Sequence, residues 1–180
     1  ERIALLGYRG FVGRKLFTKL MEADYEVIGI SKETYQNFRD EPFDIIINAA
    51  MPSKRYWAIQ NPIGDFDATV RLTADIVYNW KWKKLIQIST VSARCQLDHP
   101  YGINKFCAEI LVLNSSNNNL VFRLGALFGD GLSKGVIFDM INQNPIYLTS
   151  DSKYNFISTD EAAEIIVKNL DKNGVIEAGA

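Results

Sequence analysis

The stretch Arg2-Ile-Ala-Leu-Leu-Gly7-Tyr8-Arg9-Gly10-Phe11-Val12-Gly13 decides the fold of this chain of 180 residues. Its first half is a short apolar run that ends in glycine, which is typical of a buried parallel strand. Apolar residues then recur with helical spacing from Phe11 to about Glu22. The stretch therefore predicts a strand, a tight turn and a helix in succession.

The turn has the form G-x-x-G-x-x-G, and each glycine has a separate task if the turn binds a pyrophosphate. Gly7 permits the tight turn, Gly10 lets the phosphates approach the backbone, and Gly13 lets the helix pack closely on the strand. The helix N-terminus adds N–H groups and the positive end of a dipole. The residues expected to contact the cofactor here are Gly7, Arg9, Gly10, Phe11, Val12 and Gly13. The alternative is a glycine-rich turn that binds no ligand.

Further apolar runs follow at the spacing of an α/β protein. Strands are predicted over residues 26–30, 44–48, 85–89 and 120–124, and helices over residues 65–82 and 101–114. This alternation predicts a doubly wound, Rossmann-like parallel sheet in which the second strand lies beside the first, followed by the third, fourth and fifth. Only 13 residues separate Ile30 from Asp44, so we expect no additional strand at the edge outside the second strand.

The pattern is looser after Gly129. Helices are predicted over residues 136–141 and 159–170, and short strands over residues 145–148 and 175–177. We therefore expect residues 1–130 to form the nucleotide-binding domain. Residues 131–180 are expected to form a small, reduced C-terminal lobe that packs on this domain as part of one compact unit.

The composition excludes several classes of function. Lys and Arg number 20 against 21 Asp and Glu, so the formal net charge of -1 offers no basic surface for nucleic acid. No apolar run approaches the roughly 20 residues that a membrane helix requires. Cys95, Cys107 and the single histidine, His99, form neither a disulfide framework nor a metal set, so we expect a cytoplasmic protein without a metal.

The residues after the second strand bear on which nicotinamide cofactor is used. An acidic side chain there would accept the ribose 2′-hydroxyl of NAD, whereas the 2′-phosphate of NADP requires cations. Ser31 and Lys32 stand at this point, no acid occurs before Glu33, and Arg9 lies in the glycine turn. This pattern favours NADP, with NAD as the second choice. The alternative is that Lys32 is simply solvated.

Tyr101 and Lys105 are the candidate catalytic pair. They lie four residues apart, on one face of a predicted helix that begins at the carboxyl edge of the sheet. An ammonium group near a phenol favours the phenolate and lowers the pKa of the tyrosine. Ser89 and Thr90 end a strand at the same edge, where a hydroxyl can hold the substrate oxygen.

Several of these motifs together resemble the extended short-chain dehydrogenase/reductase family, which includes nucleotide-sugar epimerases, dehydratases and reductases. The motifs are G-x-x-G-x-x-G, Asn48-Ala49-Ala50, Ser89-Thr90, Pro100-Tyr101-Gly102-Ile103-Asn104-Lys105 and Arg123-Leu-Gly-Ala-Leu-Phe-Gly129. The resemblance implies that Tyr101 is the acid/base and that Lys105 lowers its pKa and binds the nicotinamide ribose. It also implies that Thr90 or Ser89 positions the reacting oxygen, and that Asn48, Ala49 and Ala50 contact the cofactor.

The chain departs from the family pattern in ways that narrow the activity. Thr69-Val-Arg-Leu-Thr73 stands where the family usually has Asn-x-x-Gly-Thr, so the carbonyl-and-amide group that often anchors the lysine is missing. Val91-Ser92 replaces the Asp-Glu pair of the sugar dehydratases, which argues against dehydration. No cysteine follows the strand-end hydroxyls, which argues against the epimerase-reductases that use one. The expected lobe is also short for the family.

Candidate substrate ligands complete the prediction. Lys54 and Arg55 follow the third strand and can meet a diphosphate through charge-assisted bonds, although an ordinary solvated loop fits equally. The resemblance adds Arg123 and Lys134 and implies a nucleotide-activated sugar as substrate, in a possible homodimer. The sequence thus predicts an NAD(P)-dependent oxidoreductase or epimerase. The alternative is a non-catalytic NADP-binding protein that acts as a redox sensor or partner module.

Overall fold

The computed structural model describes residues 1–146, 148–149 and 151–179. The strands are β1 (Arg2–Leu6), β2 (Glu26–Ile30), β3 (Pro42–Asn48), β4 (Lys81–Thr90), β5 (Leu120–Leu124), β6 (Ala126–Phe128), β7 (Phe156–Ser158) and β8 (Gly174–Ala178). The α-helices are α1 (Gly13–Glu22), α2 (Arg55–Gln60), α3 (Pro62–Phe66), α4 (Leu72–Asn79), α5 (Ser92–Cys95), α6 (Pro100–Ser115), α7 (Val136–Ile141) and α8 (Thr159–Lys168). A π-helical turn, Asp67–Arg71, joins α3 to α4. No helix in this described part of the chain combines the length and the apolar character needed to cross a membrane.

The main sheet has the order β2-β1-β3-β4-β5-β8, and every neighbouring pair in it is parallel. The predicted doubly wound fold and the predicted order of the first five strands are therefore confirmed. Crossover helices cover both faces, as parallel strands require. The carboxyl ends of β1, β3, β4 and β5 consequently meet at one edge of the sheet.

The core has one apolar layer on each face of the sheet. On one face, Leu16 and Leu20 of α1 and Ile166 of α8 pack against β1, β3 and β5. On the other face, Ile76 of α4 and Val112 of α6 pack against the same strands and β4. Burial of these side chains fixes α6 against the sheet and so fixes the position of the candidate catalytic pair.

The predicted absence of another strand beyond β2 is also confirmed. In the connection from β2 to β3, only a short 3₁₀ turn forms, Tyr35–Phe38. The Tyr35 hydroxyl donates to Asp75 of α4 at 2.7 Å, and Arg39 pairs with the same carboxylate at 2.5 Å. The connection is thus tied across the face of the sheet instead of adding a strand to it.

The helix predicted over residues 65–82 ends earlier than expected. Regular helix stops at Asn79, and the strand β4 already begins at Lys81. Trp80 is buried, and the Trp82 indole donates to the carbonyl of Ile76 at 3.2 Å. Packing of these two rings determines where α4 ends. Local helix propensity does not include this tertiary effect.

The segment assigned to the C-terminal lobe divides between two places. The helix α8 and the strand β8 join the main sheet, with Leu120 opposite Gly174 and Leu124 opposite Ala178. The expected boundary at residue 130 therefore does not separate the sheet from the lobe. Outside the sheet, β6 pairs with β7 and α7 lies between them in sequence. The strand predicted over residues 145–148 includes Tyr147, which lies outside the described residues, and its described positions are not in a strand.

Candidate active site

A broad groove of about 2220 Å³ runs along the carboxyl edge of the sheet. It is larger than the roughly 300–1,000 Å³ of an ordinary small-ligand pocket, so it has room for two ligands side by side. The groove is lined by the turn after β1, residues 30–32 after β2, residues 49–55 after β3, residues 88–92 of β4 and the following turn, Tyr101 and Lys105 of α6, and residues 132–137. The sequence-predicted phosphate turn and catalytic pair thus meet in one place.

The glycine turn has the geometry of a phosphate cradle. Gly7 has a φ of +76°, a conformation that favours glycine, and its carbonyl accepts from the Gly10 N–H at 2.8 Å. A Cβ at Gly13 would lie 2.1 Å from the Gly7 carbonyl oxygen, so α1 packs more closely than any other residue allows. No side chain caps the start of α1 in this described segment; the Arg14 N–H donates to the Gly10 carbonyl at 3.1 Å, and the helix N-terminus still offers its positive dipole end to an anion. The residues therefore fit the pyrophosphate of a dinucleotide.

Asn48 takes a supporting position instead of contacting a ligand directly. Its side chain is fully buried, donates to Gln87 at 3.1 Å and accepts from the Ala50 N–H at 3.2 Å. Ala49 and Ala50 line the groove, and Asn48 does not. The prediction that Asn48 contacts the cofactor is therefore corrected: this amide holds the turn on which the two alanines lie.

Two cations and one acid stand at the end of the groove next to β2. Arg9 and Lys32 line the groove together with Ser31. The Arg9 guanidinium donates to the Tyr8 hydroxyl at 2.9 Å. A hydrogen bond with Ser31, and more weakly the charges of Arg9 and Lys32, lowers the pKa of Glu33, which does not line the groove. This end of the groove is suited to an anionic group.

Tyr101 and Lys105 lie one helical turn apart on α6, and both are buried, with 7 % and 3 % of their surface exposed. The Lys105 ammonium donates to the Pro52 carbonyl at 2.7 Å and lies 5.2 Å from the centre of the Tyr101 ring. The lysine thus approaches the face of the tyrosine and holds the loop after β3.

The pKa values of this pair differ from the expectation that Lys105 lowers the pKa of Tyr101. Burial raises the pKa of Tyr101 to about 12, and the charge of Asp65 adds to the rise, while Arg55 opposes it. Burial lowers the pKa of Lys105 to about 7; Asp65 opposes this change and Lys134 adds to it. Removal from water disfavours the charged form of each group, and a sequence does not display the depth of burial that decides the direction.

The two strand-end hydroxyls have different surroundings. The Ser89 hydroxyl donates to the buried Glu109 carboxylate at 2.5 Å. Both residues line the groove, and the Thr90 hydroxyl oxygen accepts from the Ser92 N–H at 3.3 Å. Of the two predicted alternatives, Ser89 is engaged by a buried acid, whereas the Thr90 hydroxyl has no such bond among the described residues.

Arg123 does not reach the groove. Its guanidinium pairs with both oxygens of Glu109 at 2.7–3.1 Å and with Glu177 of β8 at 3.2 Å. Its side chain is only 14 % exposed. The prediction that Arg123 binds substrate is therefore corrected, because the arginine points from β5 toward α6 and neutralises a buried acid there.

The other predicted substrate ligands do gather at the rim of the groove. Lys54 and Arg55 are exposed and line it, and Lys134 approaches from the opposite side. The Lys134 ammonium donates to the Ser53 hydroxyl at 2.9 Å and to the Ser53 carbonyl, so the two rims touch at this point. Partial burial and then the charge of Lys54 lower the pKa of Lys134.

Sequence reasoning missed three groups beside the predicted pair: the Pro52 carbonyl, Glu109 and Asp65. A carbonyl has no sequence signal. Glu109 was detectable, because it recurs at helical spacing after Tyr101 and Lys105 on the buried face of α6. Asp65 lies in the short helix α3, directly before the π-helical turn, where a regular helical periodicity gives no guide to its orientation.

Comparison with known proteins agrees with this geometry. The sequence profile of the NAD dependent epimerase/dehydratase family matches residues 3–179. No curated protein sequence matches the chain significantly.

Solved structures of similar fold include several sugar-nucleotide enzymes. A dTDP-4-dehydrorhamnose reductase from Clostridium acetobutylicum has a TM-score of 0.83 and 18 % identity, over 100 % of this chain and 74 % of its own. MoeE5, solved with UDP-glucose and NAD, has a TM-score of 0.85 and 14 % identity, over 100 % and 76 %. A UDP-glucose 4-epimerase from Thermotoga maritima, solved with UDP-glucose, has a TM-score of 0.80 and 16 % identity, over 100 % and 77 %. At these identities the likeness establishes the fold.

Proposed function

Because this chain belongs to the NAD dependent epimerase/dehydratase family, we propose that it is an NAD(P)-dependent oxidoreductase or epimerase that acts on a nucleotide-activated sugar. The observation that carries the proposal is the meeting of the glycine turn, Thr90, Tyr101 and Lys105 along one groove. The proteins of similar fold include a sugar-nucleotide epimerase and a sugar-nucleotide reductase, which supports the same class of substrate.

The side chains of the groove divide the chemistry among them. When bound, the nicotinamide dinucleotide supplies or accepts a hydride at the substrate carbon. Tyr101 exchanges a proton with the substrate oxygen, and the Thr90 hydroxyl orients that oxygen by a hydrogen bond. The Lys105 ammonium stabilises the phenolate form of Tyr101 through its charge. For this role Lys105 has to carry a proton at the working pH.

The cations at the rim suit the diphosphate of the substrate. Lys54, Arg55 and Lys134 offer charge-assisted hydrogen bonds to phosphate oxygens. Lys134 uses two of its three N–H donors on Ser53, which leaves one donor for a phosphate oxygen.

We further propose NADP as the preferred cofactor. Arg9 and Lys32 provide two cations for a ribose 2′-phosphate, and charge-assisted bonds of this kind are the strong ones. Partly screened by solvent, they give NADP an advantage of about 10–100-fold in affinity over NAD. Glu33 is the acid that competes with this preference, because it lies beside both cations.

Titration calorimetry at moderate salt tests the cofactor and its preference together. We expect NADP to bind about 10–100-fold more tightly than NAD and Lys32→Glu to reverse the order. Lys81→Glu, which makes the same charge change on an exposed residue away from the groove, is the control and should leave the order unchanged. Equal affinities would overturn the preference for NADP, and the absence of binding by either dinucleotide would overturn the proposed function itself.

A second candidate function is a non-catalytic module that binds the cofactor as a redox sensor or docking platform. The observations that favour it are the bond from Lys105 to Pro52 and the raised pKa of Tyr101, since neither prepares the pair for proton transfer. Turnover of any nucleotide-sugar, followed by the absorbance of the reduced nicotinamide or by exchange of the sugar epimer, decides against this candidate.

A further inference from the structure

Asp65 is a fully buried carboxylate that the proposed mechanism does not yet use. It lies in α3, and its Oδ2 accepts from the Asn104 side chain of α6 at 2.8 Å. Its Oδ1 is also buried and has no hydrogen-bond partner among the described residues. Burial of a carboxyl group with one oxygen unpaired is unfavourable unless a nearby positive charge compensates for the lost hydration.

The position of Asn104 connects this carboxylate with the catalytic pair. Asn104 directly precedes Lys105 and follows Tyr101 by three residues, so it lies on the same turn of α6. Neither Asp65 nor Asn104 lines the groove. The carboxylate therefore faces the catalytic turn of α6 without reaching the space that a substrate would occupy.

The helix that carries Asp65 is irregular next to this contact. A π-helical turn over Asp67–Arg71 follows α3, and the hydroxyl of Thr69 on that turn is also buried without a partner among the described residues. Single π turns occur frequently at functional sites because they rotate the side chains of one helix relative to a neighbour. Two buried polar side chains, at positions 65 and 69, are thus set beside α6.

Three charged groups, Asp65, Arg55 and Lys134, act on the pKa values of Lys105 and Tyr101. Removal from water lowers the pKa of Lys105, and Asp65 is the group that raises it again; Lys134 lowers it from the rim. For Tyr101, burial raises the pKa, Asp65 raises it further and Arg55 lowers it. Asp65 thus favours the charged lysine and the neutral tyrosine.

We propose that Asp65 is a positioning residue whose negative charge, held in place by Asn104, favours the ammonium form of Lys105 inside the groove. The inference rests on the proposed function in one respect, namely that a charged Lys105 is what binding and catalysis need. An asparagine at position 65 would accept the same hydrogen bond from Asn104, so the carboxylate is not needed for that bond. What the carboxylate adds is its charge.

The direct test measures the pKa of Lys105 by NMR in protein labelled with ¹³C at the lysine ε carbons. Lys105→Met assigns the signal, and no ligand is required. We expect Asp65→Asn to lower the pKa of Lys105 by about one unit or more, as an opposite charge at short range does. The matched control is Asp67→Asn, which removes the same charge from the same helical segment, where the carboxylate pairs with Arg71 and is half exposed. It should move the pKa by less than about 0.3 units, because a solvent-exposed charge is screened.

A second variant guards against a folding defect. Asp65→Ser also removes the charge but leaves a smaller side chain. A change in the pKa of Lys105 that is caused by altered packing would therefore differ between the two variants, whereas a change caused by the lost charge would be the same in both. An unchanged pKa of Lys105 in a folded variant, Asp65→Asn or Asp65→Ser, would overturn the proposal. A shift of equal size in Asp67→Asn would overturn it as well.

The second readout is the pH dependence of NADPH binding, followed by the fluorescence of the reduced nicotinamide between pH 6 and pH 9. We expect the affinity to weaken as Lys105 loses its proton, and Asp65→Asn to move this weakening to lower pH by the same shift that NMR records. If wild-type protein binds no dinucleotide at any pH, the proposed function fails while the NMR titration still decides the role of Asp65. If binding is normal and its pH profile is the same in both proteins, the role of Asp65 fails alone.

Discussion

Helix α6 carries two buried charged groups one turn apart, and the protein surrounds them in opposite ways. Glu109 is 1 % exposed and is fully paired: Arg123 binds both of its oxygens and Ser89 donates to one of them. Lys105 is 3 % exposed and donates to a single carbonyl, that of Pro52. The same helix therefore holds one satisfied and one poorly satisfied charge.

The difference separates a group that supports the fold from a group that is available for chemistry. The Glu109 cluster joins α6 to β4, β5 and β8, and its geometry leaves little capacity for a ligand. The environment of Lys105 disfavours its charge, which lowers its pKa to about 7 and makes its state sensitive to whatever enters the groove. Each of the following experiments tests either the Glu109 cluster as a support of the fold or the groove around Lys105 as a site of chemistry.

The largest expected effect is the loss of stability in Arg123→Met. It leaves the Glu109 carboxylate buried without its cation, and breaking a buried pair in this way costs about 3–5 kcal/mol of unfolding free energy. Urea denaturation measures the loss. Arg94→Met is the control, because Arg94 binds Glu177 from a position that is more than half exposed. This variant should lose less than about 1 kcal/mol of unfolding free energy. Equal losses in the two variants would contradict the assignment of Glu109 to the fold.

Tyr101→Phe tests the chemical side and should lower turnover at least 10²-fold while leaving cofactor affinity nearly unchanged. The variant removes only the hydroxyl to which we assign the proton transfer. Steady-state rates with the substrate and calorimetry with the cofactor give the two numbers. Tyr78→Phe removes a hydroxyl from an exposed ring on α4 and should change neither. Full activity in Tyr101→Phe would remove this residue from its proposed role.

The lowered pKa of Lys105 predicts a pH dependence of stability. The unfolded chain binds a proton on this lysine up to its ordinary value of 10.5, whereas the folded chain releases it near pH 7. Between these values the unfolded state binds more protons, so stability rises with pH. We expect the unfolding free energy of the wild type, relative to that of Lys105→Met, to rise by about 2 kcal/mol between pH 7 and pH 9.

The matched variant for this measurement is Lys81→Met, which removes an exposed lysine at the start of β4 and should follow the wild-type profile. Chemical denaturation at four or five pH values is sufficient. A constant difference between wild type and Lys105→Met over this range would mean that the buried lysine keeps its proton throughout.

The smallest effects distinguish the two neighbouring hydroxyls of β4. Ser89→Ala should cost about 1–2 kcal/mol of stability without affecting turnover, because it deprives the buried Glu109 of a donor. Thr90→Val should lower turnover about tenfold with little change in stability, because it removes one hydrogen bond to the substrate oxygen. Thermal denaturation and steady-state kinetics on both variants measure the two effects. A loss of turnover in Ser89→Ala together with a loss of stability in Thr90→Val would reverse the assignment.

Much of the fold was predictable because its signals are local. The apolar runs that became β1 to β5 are short and separated by helical patterns, and 13 residues between Ile30 and Asp44 left no room for another paired strand. The placement of β8 was not predictable in the same way. Its partner, β5, lies about 50 residues earlier in the sequence, and only tertiary packing brings Gly174 opposite Leu120.

The meeting of the glycine turn with Tyr101 and Lys105 at one sheet edge was predictable, whereas the electrostatics of the candidate site were not. Tyr101, Lys105 and the glycine turn follow from residue type, spacing and position at the sheet edge. The directions of the pKa shifts depend on burial. The roles of Ser89 and Arg123 depend on their bonds to Glu109 of α6, which the sequence patterns of β4 and β5 do not indicate. These are contacts between distant segments, and they arise only when α6 docks on the sheet.

The glycine turn has a consequence for mutagenesis, because its three glycines are not equally replaceable. At Gly7 and Gly13 a methyl group would collide with backbone atoms at 2.1–2.8 Å, so any substitution there damages folding and function together. At Gly10 the added carbon meets only the Gly7 carbonyl oxygen, at 3.1 Å, and a shift of a few tenths of an ångström accommodates it. We therefore expect Gly10→Ala to leave the fold intact and to hinder the approach of a phosphate, which would separate loss of cofactor binding from loss of folding.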